Sequence, residues 1–175
     1  DSTLFIITLQ FKMIAQIFAP LLSNLGWIVL LFVAITLVKF FKPFLKGKIG
    51  EFAVSTHVKL YLDKENYILL NDCTLPDEQN QTTQIDHILL SPYGIFVIET
   101  KNYKGWIFGG ERQKIWTQKI YKKSYKFQNP LHQNYKHQKV LESVLTDIVD
   151  STQIHSIVVF MPDCEFKTQM PNHVF

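Results

Sequence analysis

A chain of 175 residues with 18 Lys+Arg against 15 Asp+Glu carries a formal charge of only +3, too mild to name a polyanionic partner by itself. Its two cysteines, Cys73 and Cys164, stand far apart with no C-x-x-C spacing, which argues against a disulfide framework or a zinc site of paired thiolates and fits a reducing compartment.

The first twelve residues read as an N-terminal extension, since Met13 stands immediately before an apolar run. From Met13 to Val38 no residue is charged, and LGWIVLLFVAITLV (25–38) shows no polar face at helical spacing. Residues 13–41 are therefore expected to form one transmembrane helix, a bilayer needing about 20 such residues. A cleaved signal peptide would show small residues at a cleavage site, whereas this run meets Lys39, Phe40, Phe41 and Lys42. Lys39, Lys42, Lys46 and Lys48 on one flank against Lys12 on the other predict a cytoplasmic soluble portion. Residues 42–46 form a basic juxtamembrane linker, punctuated by Pro43 and followed by Gly47.

Residues 47–175 remain for a soluble domain. Ile49, Phe52, Ala53, Thr56 and Leu60 recur at helical spacing and predict an amphipathic helix over Lys48–Leu62. A strand is expected at Tyr67–Asn71, and the polar stretch PDEQNQTT (76–83) reads as an exposed loop. QIDHILL (84–90) and IFVIETKN (95–102) flank Ser91-Pro92-Tyr93-Gly94, which has Pro and Gly where a tight turn prefers them, so they should pair as a hairpin. A second hairpin is expected from Trp106–Phe108 and Lys114–Ile120 around Gly109-Gly110. Asn129-Pro130 opens a helix to about Val149, and IHSIVVFM (154–161) forms a further strand. This order predicts an α/β fold, a mixed sheet flanked by helices and preceded by one transmembrane helix. The chain stops at Phe175 soon after a strand, so the domain is expected to continue past it.

The chemistry concentrates in the first hairpin. With Ser91 facing Gly94, counting back along both strands sets Asp86 opposite Glu99, and Lys101, two residues on, shares their face. Opposed carboxylates repel unless something positive lies between them. A divalent cation would serve, and hard oxygen ligands select Mg2+ or Mn2+ over zinc. The bland alternative is a surface ion pair of Glu99 and Lys101 with an unrelated strand acid. His87, next in line, points to the opposite face and is expected to pack. His132 and His137 are five apart, poor spacing for two ligands on one helix face.

Gly50-Glu51, Gln84-Ile85-Asp86-His87, the run Gly94 to Tyr103 with its Glu99-Thr100-Lys101-Asn102, then Gly105 and Trp116, together resemble the nuclease-related domain (NERD) family, over about residues 47–145. That family is similar to the PD-(D/E)xK superfamily of restriction-endonuclease-like nucleases. The resemblance implies a restriction-endonuclease-like fold in which Asp86 and Glu99 bind the metal, Lys101 is the catalytic lysine and Glu51 adds a carboxylate. Ile85 stands where the superfamily has its proline. Glu51 reads equally as an acid in a helix's first turn. Asn129-Pro130-x-x-Gln133 looks like a further family motif, with Gln133 contacting phosphate, organising the site, or only packing locally.

From Arg112 to Leu141 there is no acid, while Lys114, Lys119, Lys122, Lys123 and Lys126 interleave with Trp116 and several tyrosines. Such a stretch suits a nucleic-acid surface, lysines taking phosphates and rings stacking on bases; a solvated face or anionic lipid headgroups are the alternatives. The sequence thus predicts a single-pass membrane protein with a cytoplasmic, Mg2+- or Mn2+-dependent nuclease domain, DNA favoured over RNA by family analogy. The rival is a non-catalytic module that binds nucleic acid or a partner at the membrane.

Overall fold

Helix α1 spans Ser2–Tyr61 in the computed structural model, which describes residues 2–77, 79 and 81–175. The chain divides into two units, one ending at Leu45 and the other running from Lys46 to Phe175. In the first, the described side chains are exposed, and an 18-residue window of the candidate span Leu4–Tyr61 reaches a mean hydropathy of 2.4. By length and composition this is one helix able to cross a membrane. The expected pause at residues 42–46 is absent, because helix continues through Pro43 and Gly47. A proline removes one helical hydrogen bond, a cost that apolar neighbours of high helix propensity can carry.

In the second unit the strands are β1 (Ile68–Pro76), β2 (Thr82–Ser91), β3 (Gly94–Lys101), β4 (Gly105–Phe108), β5 (Ile115–Ile120), β6 (Lys123–Gln128), β7 (Ile154–Phe160) and β8 (Cys164–Phe166). Helix α2, Pro130–Val144, precedes β7. The fold is mixed α/β as expected, but the strands are shared between two four-stranded sheets, ordered β1-β2-β3-β7 and β6-β5-β4-β8. Each has antiparallel neighbours and one parallel pair, β3 with β7 and β4 with β8. The expected loop at 76–83 is shorter than predicted, strands reaching in from both sides; Glu78 and Asn80 within it lie outside the described residues.

The β2–β3 register holds from Ser91↔Gly94 to His87↔Ile98. Gly94 has φ +124°, and a Cβ there would meet Gln153 O at 2.5 Å, so the turn requires glycine. On the other side of β2 the ladder runs Asn71↔His87 and then Cys73↔Ile85, skipping Asp72 and Asp86. Asp72 takes a φ of 54° at that interruption. Strict alternation therefore breaks at Asp86: Ile85 and Ile88 both join a core cluster with Val97, Leu141 and Ile154.

Helix α1 meets the first sheet through Val54, which packs with Leu89 and Ile98. Gly50, Val54 and Ser55 are buried while Ile49, Phe52 and Leu60 lie exposed, so the predicted apolar stripe faces outward. Close approach explains the choice of face. A Cβ on Gly50 would stand 2.9 Å from Asn102 Cβ, leaving no room for a larger side chain. Helix α2 starts cleanly because Asn129 accepts a hydrogen bond from Leu131 N and Pro130 fills the first turn. Buried Asn134 then ties α2 to the parallel pair β3 and β7, donating to Val97 O and Ile157 O, each at 2.9 Å.

Candidate active site

The sheet-end acids, the lysine and one face of α2 meet at a single point. The β2–β3 ladder ends at His87↔Ile98, one residue short of Asp86 and Glu99. There the ladder has opened, and Asp86 Oδ2 accepts a hydrogen bond from Thr100 N at 2.8 Å. Glu99 is 3% exposed, an expensive position for a charge unless it is paired. Lys101 Nζ donates to Glu99 Oε1 at 2.5 Å and to Gln133 Oε1 at 3.0 Å. Gln133 Nε2 closes the triangle on Glu99 Oε1 at 2.8 Å. The structure thus brings Glu99, Lys101 and Gln133 into contact, with Asp86 beside them.

His137, set aside on sequence grounds, belongs to this site. It lies one turn beyond Gln133 on α2, and its Nε2 is 3.4 Å from Glu99 Oε2. Its Nδ1 is 2.8 Å from the Thr83 hydroxyl. Glu99 Oε2 and His137 Nε2 are both buried with no hydrogen bond to any other group, facing each other across this 3.4 Å pair. The i,i+4 spacing from Gln133 was the signal available in the sequence.

The two acids are shifted in opposite directions. Burial pushes the Glu99 carboxyl up, but His137 and Lys101 more than reverse this and leave it below its ordinary value. Burial also pushes Asp86 up, reinforced by the charges of Glu99 and Glu51, and the Thr100 N–H and Lys101 offset only part; its pKa reaches about 6. An ionised carboxylate beside one reluctant to ionise is what two adjacent acids show without a cation between them.

Glu51 is engaged elsewhere. Its Oε2 accepts from Lys48 Nζ at 2.8 Å, and Lys48 also pairs with Asp72. These residues line a cleft of about 600 Å³ with Phe52, Asn71 and His87. His87 is buried on this side of β2, its Nδ1 2.7 Å from Asn71 Oδ1. Since an amide oxygen only accepts, Nδ1 carries the proton. Among the described residues no three His, Cys, Asp or Glu side chains are grouped so as to hold a metal. The Glu99 and neighbouring Asp86 carboxylates are hard oxygen donors, of which magnesium usually takes one or two.

The basic stretch folds as the β5–β6 hairpin. Lys114, Lys122, Lys123 and Lys126 are exposed and Lys119 is half-buried. Trp116 departs from expectation. It is 0% exposed, donates from Nε1 to Gly110 O at 3.1 Å and packs against Phe160. Its strand position faces the core, so it cannot offer a ring to a nucleic acid. Trp106, on β4 and outside the acid-free stretch, is the exposed indole instead.

Comparison with known proteins agrees with this arrangement. The family model described as nuclease-related domain matches residues 46–161. An uncharacterized protein of Bacillus anthracis is 43% identical over 132 residues, which are 75% of this chain and 60% of that protein. The chain therefore spans three-fifths of that relative's length. No solved structure matches it significantly. The matched segment begins at the last residues of α1 that reach the sheet and contains Asp86, Glu99, Lys101, Gln133 and His137, and the chain belongs to the nuclease-related domain family.

Proposed function

We propose that this protein is a membrane-anchored, divalent-metal-dependent phosphodiesterase that hydrolyses nucleic acid, DNA in preference to RNA, with its catalytic unit on the cytoplasmic side. The observation that carries this reading is buried Glu99, bridged by Lys101 and Gln133 on one oxygen and faced by His137 at 3.4 Å on the other, next to an Asp86 whose pKa is raised. Asp86 and Glu99 would hold Mg2+ or Mn2+, with Glu51 joining if it leaves Lys48. A bound cation of this kind supplies charge stabilisation at a phosphate and a more acidic water.

The chain's own groups supply the rest. The ammonium of Lys101 is fixed by two acceptors, Glu99 Oε1 and Gln133 Oε1, and so points a positive charge at the place where a phosphate oxygen gains negative charge. Gln133 keeps that triangle rigid. His137, anchored by Thr83, positions Glu99 from the side opposite Lys101. The Lys114, Lys119, Lys122, Lys123 and Lys126 cations would neutralise the polyanion without reading sequence. The test is metal titration of the full chain on plasmid and single-stranded substrates, where Lys101→Ala should abolish cleavage and keep binding.

A further inference from the structure

The second sheet has a face that the core does not use. Trp106↔Lys119 and Lys119↔Ser124 are cross-strand partners, and Trp106↔Glu165 extends the same row onto β8. The alternate positions Ile107, Trp116 and Gln118 point inward and are buried, so this row faces solvent. Trp106 is 45% exposed. Lys167 Nζ lies 5.0 Å and Lys119 Nζ 5.8 Å from its ring centroid. The row's one acid, Glu165, is already neutralised by Lys167.

We propose that this outer face is a platform for single-stranded nucleic acid, an unpaired base stacking on Trp106 while Lys119 takes a flanking phosphate. A half-exposed indole, once the ammonium groups over its ring swing aside, offers a π surface for an unpaired base that a base inside a duplex cannot reach. The Lys119 ammonium, turned from over the ring, suits a phosphate chain running across the strands, and Lys126, exposed on β6 and bonded to Thr117, continues the positive track. A lipid surface would ask for apolar side chains around the indole, yet its cross-strand partners are Lys119 and Glu165. The proposal rests on the nucleic-acid reading above but not on its carboxylate chemistry.

Fluorescence anisotropy of the full chain in detergent micelles, with EDTA to prevent cleavage, tests it with an oligothymidylate and a duplex of equal length. Trp106→Ala should weaken oligothymidylate binding about tenfold and leave the duplex unchanged, while Trp106→Phe keeps most of the affinity. Lys119→Gln should lower the salt dependence for the single strand by roughly 0.7 in slope. Oligothymidylate affinity equal in the parent and Trp106→Ala overturns the proposal. So does fluorescence quenching by brominated phosphatidylserine vesicles that disappears in Trp106→Phe, which would make the face a lipid contact. If the parent binds oligothymidylate through Trp106 yet shows no metal-dependent cleavage, the phosphodiesterase reading fails and the platform stands.

Discussion

Replacing Asp86 with asparagine should make the protein more stable while removing its activity. Asp86 is held at a pKa of about 6 against an ordinary 3.8, first by burial and then by the charge of Glu99. A carboxyl whose folded pKa lies above its unfolded one favours folding only while protonated. Its contribution is therefore intact below pH 3.8 and is lost as the pH rises to about 6. The gap of about two units corresponds to roughly 3 kcal/mol at neutral pH, an upper figure because asparagine keeps the Thr100 hydrogen bond but not every contact. Thermal unfolding of parent and Asp86→Asn in micelles with EDTA measures it. The variant should unfold several degrees higher at pH 7.5, and the difference should close by pH 4. Saturating Mg2+ should stabilise the parent and not the variant. A variant no more stable than the parent at pH 7.5, or equally advantaged at both pH values, refutes the reasoning.

Lys101→Ala leaves Glu99 buried without its ammonium partner and should cost about 3 kcal/mol, read by denaturant unfolding, together with loss of cleavage. Glu99, held below its ordinary 4.5, contributes stability that is fully present above pH 4.5 and is lost as the pH falls through its depressed value. His137→Leu should shrink that acid-side loss and lower stability at neutral pH by about 1–3 kcal/mol; an unchanged pH profile would remove His137 from the site. Gly50→Val drives a Cβ to 2.9 Å from Asn102 and should destabilise by about 1–3 kcal/mol. Parental stability there would mean that α1 does not press on the end of β3.

The β2–β3 hairpin was legible because a Pro-Tyr-Gly turn fixes its register, which holds as far as His87↔Ile98, one residue short of Asp86 and Glu99. Local pattern stopped short where tertiary placement decides. Trp116 sits in a lysine-rich strand, and only its alternation with Lys119 across β5 shows that the ring points inward while the lysine points out. Strand β6, KSYKFQ, has no apolar run because it is a sheet edge, where lysines discourage pairing with other chains. The stripe Ile49, Phe52 and Leu60 suggested a buried helix face, yet contact with the sheet required the small face at Gly50 and Ser55. His137 becomes meaningful only once α2 lies over Glu99.

The most direct test is cleavage of plasmid and single-stranded DNA by the full chain across a Mg2+ titration, with Asp86→Asn and Lys101→Ala in parallel. The account predicts cleavage that needs the metal, is present in the parent and is lost in both variants while nucleic-acid binding persists. Binding without metal-dependent cleavage by the parent, or cleavage undiminished in either variant, would contradict it.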